Sequence, residues 1–271
     1  MTWLSCRALG AVALLGAALA LPPARAAHAE SALRLPPQEA FGAIPASTYD
    51  EETAKRLGDA KIELSRLPNG NLLMVAAGSI EGAEAISLAA ELEKTPDGKA
   101  LRPKWQESHS WDAQGRTQGI MWIDHVNGRA LCTPAEQEHE PSFEVALEAR
   151  DLVANVPMHL LFLPLVSGEQ QEVSFQFMAC KAKRVVPAKA SVAQTLSPDG
   201  KPPLIEVRSE LDLGPILTPL ARAFMPRFSF WFDPTARAEW VAHRMPLFTG
   251  GPQVLVVRSG VPVKDLGTTA H

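Results

Sequence analysis

The chain has 271 residues, 46% of them hydrophobic and 21% charged, which is ample apolar material for a core and too little charge for disorder. Its 26 basic residues against 30 acidic ones leave a net charge of −4, so no cationic surplus exists to neutralise phosphates, and nucleic acid is excluded as the natural partner. Three cysteines, no glycine-rich phosphate loop and no zinc-type Cys/His spacing give no foothold for a cofactor, and none is expected.

Met1 to Arg7 carries one basic residue, Ala8 to Leu21 is apolar, and small residues and prolines follow as far as Ala24-Arg25-Ala26 and Ala27-His28-Ala29. This is the layout of a secretory signal peptide over residues 1–29, with two overlapping Ala-x-Ala cleavage points. Its apolar run of about fourteen residues is shorter than the roughly 20 that span a bilayer. The mature chain, residues 30–271, is therefore expected to be a soluble, single β-rich domain, periplasmic or secreted, with no transmembrane segment. Cys6 precedes the apolar run, where an acylated cysteine cannot sit. Export leaves Cys132 and Cys180, which can form a disulfide or stand as two separate buried thiols. A bridge would close a loop of about 48 residues and stabilise by roughly 4 kcal/mol in the chain-entropy treatment.

Thr48 stands three residues before Glu51, a capping-box spacing that predicts a short helix over Thr48 to Leu57. Four turn signals then punctuate the first half, Pro68-Asn69-Gly70, Pro96-Asp97-Gly98, Asp112-Ala113-Gln114-Gly115 and Val126-Asn127-Gly128. Between them apolar residues alternate, as in Leu72, Met74, Ala76 and again in Ile86, Leu88, Ala90, Leu92, the mark of half-buried antiparallel strands. An up-and-down meander from Ala60 to about Cys132 follows. Phe143 to Leu147, Val173 to Phe177, Ser191 to Leu196, Leu204 to Leu211 and Gln253 to Arg258 read as further strands, the middle pair joined by Pro198-Asp199-Gly200. The fold class is thus mainly β, a curved antiparallel meander forming a half-barrel or sandwich, with two or three short helices.

Val156 to Val166 is the most apolar stretch of the mature chain; its two prolines forbid one long helix and leave a short helix or strand buried on all sides, or a wall for a lipid-like ligand. Leu217, Leu220, Ala221 and Phe224 share one helical face, so Ile216 to Phe224 is expected to be a helix that either plugs the sheet or covers a cavity.

Glu107, His109, Asp112, Asp124, His125 and His139 form the richest cluster of ligand-type side chains. Pairing Asp112 with Arg116 sets His109 opposite Gly119 and leaves His125 about 20 Å away, while a slip of one residue puts the two imidazoles on opposite faces. Neither register lets them share a metal. His109 then reads as a satisfied histidine on a tryptophan-lined face and Asp124 as an Asx-turn former. No Gly-x-Ser-x-Gly elbow or His-Glu-x-x-His helix occurs.

The C-terminal run Phe228-Ser229-Phe230-Trp231-Phe232-Asp233-Pro234, then Trp240, His243-Arg244-Met245-Pro246-Leu247 and Gly251 to Arg258, together with the exported start and the strand carrying Trp122-Ile123-Asp124, resembles uncharacterised bacterial exported β-rich families, themselves similar to periplasmic lipoprotein-carrier half-barrels. The resemblance implies a curved sheet with helices at its mouth and an apolar ligand, and carries over no catalytic residue. Three functions follow in order: a carrier or binder of an apolar or amphipathic molecule in the envelope, a non-catalytic envelope protein acting through protein contacts, and a hydrolase without a recognisable motif. For the first, Leu220, Phe224, Trp231 and Trp240 are the candidate ligand contacts, and Arg227, Arg237 and Arg244 lie close enough in sequence to receive an acidic headgroup or to be ordinary solvated arginines.

Overall fold

The computed structural model describes residues 33–35, 41–148, 152–198, 202–212, 228–235, 238–248 and 251–266. After the two-residue β1 (Leu33–Arg34), the first half of the chain runs through β2 (Gly42–Asp50), β3 (Arg56–Arg66), β4 (Leu72–Ile80), β5 (Ala83–Lys94), β6 (Ala100–Trp111), β7 (Thr117–Asp124), β8 (Arg129–Thr133) and β9 (Phe143–Ala146). Two one-turn helices follow, α1 (Met158–Leu161) and α2 (Leu163–Val166). The second half is β10 (Glu172–Ala179), β11 (Arg184–Leu196), β12 (Leu204–Leu211), β13 (Phe228–Asp233), β14 (Glu239–Pro246) and β15 (Gln253–Arg258). All fifteen strands belong to one sheet, and the strand pairs are antiparallel, so the chain is the expected mainly β meander with few short helices.

The expected hairpins form where Asn, Asp or Gln precedes glycine: Gly70, Gly98, Gly115 and Gly128 all take positive φ, a conformation that costs a residue without Cβ nothing. A further turn at Glu81-Gly82, with φ of 50° and 86°, closes β4 onto β5. Residues 199–200 of Pro198-Asp199-Gly200 lie outside the described residues, but Leu196 pairs with Leu204 on either side of them.

The helix expected over Thr48 to Leu57 is instead a hairpin between β2 and β3. Thr48 points into the interior at 2% exposure and does not cap anything. Asp50 organises the turn, its Oδ1 accepting from the Thr53 backbone N–H at 2.8 Å and the Thr53 hydroxyl at 2.7 Å. Thr48-x-x-Glu51 has the letters of a capping box, yet the strand register decides the structure, because β2 pairs on both sides, with β15 and with β3. On its other side β3 lies close against β4: a Cβ on Gly58 would sit 1.9 Å from the Ser79 carbonyl oxygen.

Strand order is β10-β11-β12-β13-β14-β15-β2-β3-β4-β5-β6-β7-β8-β9. The two halves of the chain are joined by β15 against β2, with Val257 opposite Ser47. The outermost strands, β9 and β10, are neighbours in sequence, and the sheet curls until its ends meet. Val153 bridges Gln176 of β10, and Cys132 of β8 is disulfide-bonded to Cys180 just past β10, their Cα atoms 5.8 Å apart. Lys183 and Glu140 pair across the same seam at 2.8 Å. Met121, Ile123, Ala130, Val153 and Met178 pack beneath it as one buried cluster.

Between β9 and β10 the chain turns inward. Met158, Leu160, Leu161, Phe162 and Leu165 are all buried, and Phe162 meets Phe175 and Phe230 edge-on, with centroids 6.0 and 5.1 Å away. Pro157 and Pro164 keep the segment to two single turns, so the apolar run is a core plug. Gln106 of β6, fully buried, holds the start of that plug: its Oε1 accepts from the Asn155 and Val156 N–H groups at 2.9 and 3.0 Å, and its Nε2 lies 2.6 Å from the Val153 carbonyl and 2.8 Å from His125 Nε2.

A candidate ligand cavity

Opposite the aromatic side of the plug lies a cavity of about 380 Å³. One wall comes from β2, β3 and β4, where period-two alternation turns Ile44, Ile62, Leu64 and Met74 to the same face. His159, Leu160 and Leu163 of the plug form the floor. Phe232 and Trp240, from β13 and β14, close the other side.

Trp240 reaches this position through a β-bulge. Trp231 pairs with Ala242 and the next residue, Phe232, pairs with Trp240, so Val241 is the extra residue and the face of β14 switches there. Trp240 joins Phe230 and Phe232 in the interior, whereas Trp231 packs on the other face with Leu204, Leu255, Val257 and Leu266. The Arg244 guanidinium carbon sits 5.4 Å from the Trp231 ring centre on that outer face, where Arg244 also pairs with Glu51 at 3.0 Å. Close by, Glu206 is 2% exposed; burial pushes its carboxyl up, but hydrogen bonds from Arg208, Ser229 and Gln194 outweigh this and hold it below the usual range.

The structure thus separates the four candidate contacts. Trp240 lines the cavity and Trp231 does not. Leu220 and Phe224, with the helix expected over Ile216 to Phe224, lie outside the described residues, as do Arg227 and Arg237.

The polar groups bordering the cavity are few. Glu239 and Arg258 form an ion pair at 2.6 Å at its rim. His159 borders the cavity, and burial holds its imidazole down to about 4. His243, whose ring centre is 5.4 Å from that of Trp240, is held down to about 3 by burial first and by the neighbouring His159 second. Both are neutral at pH 7. Trp240 is 5% exposed, and its indole Nε1 has no hydrogen-bond partner.

The ligand-type cluster of the first half does not converge. β6 and β7 pair with His109 opposite Ile120, one residue from the register that Asp112 and Arg116 alone would set, because a bulge falls between Ser110 and Trp111. His109 packs on Trp111 at 3.8 Å between ring centres, on the face of the sheet opposite to Gln106 and its partner His125. Asp112 is tied to Arg116, and Asp124 forms the Asx turn by accepting from the Asn127 N–H at 3.0 Å. Among the described residues no three His, Cys, Asp or Glu side chains meet at one point. Likewise, no helix among them is long and apolar enough to cross a membrane.

Sequence reasoning missed His159, the Glu239–Arg258 pair and Gln106. The alternation places Gln106 on the inner face with Leu88 and Ala90, so a lone amide at an apolar position was the available signal.

No family profile matches the chain, and no curated protein matches it. Among solved structures the chain is similar to a beta-barrel-like protein of a domain of unknown function, DUF1849, from Brucella abortus, with 13% sequence identity, a TM-score of 0.43, and 83% of this chain and 97% of that one covered.

Proposed function

We propose that the protein is exported to the cell envelope and there binds an apolar or amphipathic small molecule inside its curled sheet. The cavity carries this reading: at about 380 Å³ it falls within the roughly 300–1,000 Å³ of small-molecule sites, and its walls are aliphatic and aromatic with a few polar groups. Its one described carboxylate, Glu239, is held in an ion pair, which suits a container better than an acid/base centre. Residues 1–29 and the Cys132–Cys180 bridge support the exported location.

The test is uptake of an environment-sensitive fluorescent fatty probe by wild type and by Ile44→Trp, which fills the cavity from a half-buried wall position. Excluding about two methylenes at ~0.8 kcal/mol each predicts roughly tenfold weaker uptake, with the melting temperature little changed. A wild type that takes up no probe, or a variant that binds it as well, overturns the reading. Native mass spectrometry of protein taken from its own envelope would then identify the natural occupant.

A further inference from the structure

The lining of the cavity is sorted by depth. Leu64, Met74, Leu160, Phe232 and Trp240 make up its buried part, none of them more than 7% exposed. The described lining residues that are charged at pH 7 stand instead where the cavity meets water: the side chains of Arg258 and Glu239 are 33% and 41% exposed in their ion pair, and Ser259 beside them is exposed. Strand parity puts them there. Arg258 lies opposite Ala46, which is buried in the interior, so it ends an inward-facing row at the last residue of β15, while Glu239 opens β14. A molecule with one polar end and an otherwise apolar body matches that division, because its head stays hydrated at the ion pair and no unpaired polar group is carried inside.

Size fixes how much of the body fits. A cavity of about 150 Å³ holds a benzene ring, about six carbon atoms, and at that packing 380 Å³ holds about fifteen. That is one acyl chain. A lipid with two such chains needs twice the space, and the floor cannot yield it, since behind His159, Leu160 and Leu163 the plug is wedged by Phe162 between Phe175 and Phe230.

Resting on the reading of the cavity as a ligand site, we infer that its occupant is a single-chain amphiphile, with one chain of up to about fifteen carbons inside and a hydrated head at the Glu239–Arg258 pair.

Competition against the bound fluorescent probe tests this with saturated monoacylglycerols of rising chain length, each kept below its micelle concentration. Affinity should climb about fourfold per added methylene and level off at about fifteen carbons. In Ile44→Trp the break should come about two carbons earlier, a shift that solubility cannot mimic because only the protein has changed. Native mass spectrometry of the protein mixed with a lysolipid and the diacyl lipid of the same chain and head should show a one-to-one adduct of the lysolipid alone. A nitroxide on the head of the bound amphiphile should be reduced by ascorbate as fast as in free solution, and one at the chain end at least about tenfold more slowly. Affinity that ignores chain length or climbs past the limit, a break that Ile44→Trp leaves in place, an equal diacyl adduct, a protected head, or a bound probe that no member of the series displaces overturns the single-chain assignment and leaves the apolar site standing. If the protein takes up neither the probe nor any member of the series, the reading of the cavity as a ligand site is what fails.

Discussion

Replacing Gln106 with leucine should destabilise the protein more than any other single change to a polar residue of the inner face. Gln106 satisfies all four of its amide's hydrogen-bonding positions, two donors toward Val153 O and His125 Nε2 and two acceptor sites taken by the Asn155 and Val156 N–H groups. Leucine keeps the volume and removes every partner. Two of the orphaned backbone groups, Val153 C=O and Val156 N–H, belong to buried residues, while Asn155 is partly accessible and can recover a water. At about 1–3 kcal/mol per orphaned buried group, less the gain from no longer desolvating an amide, the net loss is about 3–4 kcal/mol. Against a typical total of 5–15 kcal/mol this is a large fraction, and it corresponds to roughly 8–12 °C in melting temperature for a domain of this size. Urea unfolding should show a lower midpoint with an unchanged slope, and amide exchange should quicken over residues 153–156 first. Because Gln106 donates to His125 Nε2, the His125 proton belongs on Nδ1, and nitrogen shifts should show that tautomer in wild type and a mixture in the variant. A loss under about 1 kcal/mol would refute the view that one amide pins the plug to the sheet.

Three further outcomes are expected. Replacing both Cys132 and Cys180 with serine should cost about 4 kcal/mol for a loop of 48 residues, read as a lower denaturation midpoint that matches wild type under reducing conditions; equal midpoints for oxidised wild type and variant would contradict it. His159 and His243 have folded pKa values near 4 and 3, below the ordinary 6.5 of the unfolded chain, so unfolding takes up protons and stability, complete above pH 6.5, drains away as pH falls toward 4 and below. His125, also held down to about 4, acts in the same sense, and His243→Leu should flatten the profile; an unaltered pH dependence would show that the imidazoles are not responsible. Gly58→Ala should unfold the protein or force β3 from β4, since its Cβ would meet the Ser79 carbonyl at 1.9 Å, and a variant with wild-type melting temperature would refute the close approach.

What could be read from the sequence follows from the range of the interactions. Hairpins are local: the Asn-Gly, Asp-Gly and Gln-Gly turns and the alternation beside them mark out β3 to β8, all but the Glu81-Gly82 turn between β4 and β5, and Gln253–Arg258 matches β15 to the residue. Non-local decisions were invisible. Nothing in Ser47 or Val257 says that they pair across some two hundred residues, and that pairing makes a strand end of Thr48 to Asp50 where capping-box letters suggested a helix. Bulges were equally hidden, and each reverses an inference from parity. The one at Ser110/Trp111 shifts His109 to face Ile120, and the one at Val241 divides Trp240 from Trp231, which plain alternation would put on the same side. In the sequence His159 is only one member of an apolar run, because sequence cannot tell which side of a one-turn helix faces a void.

That void follows from how the plug sits. α2 packs toward β10, β11 and β12, and Phe162 fills the space between Phe175 and Phe230, so the aromatic half of the interior is solid. A segment broken by prolines into two single turns is too narrow to touch the facing wall as well. On that wall β2 contributes Gly42, Ala43, Ile44 and Pro45, short side chains that do not reach far enough to fill the gap. The same plug is therefore core on one side and cavity floor on the other. The two roles can be separated by mutation: Phe162→Ala empties the packed side and should cost about 3–5 kcal/mol, whereas Ile44→Trp fills the open side and should act on binding. If the two substitutions produced the same effect, loss of stability alone or of binding alone, the plug would have only one side that matters.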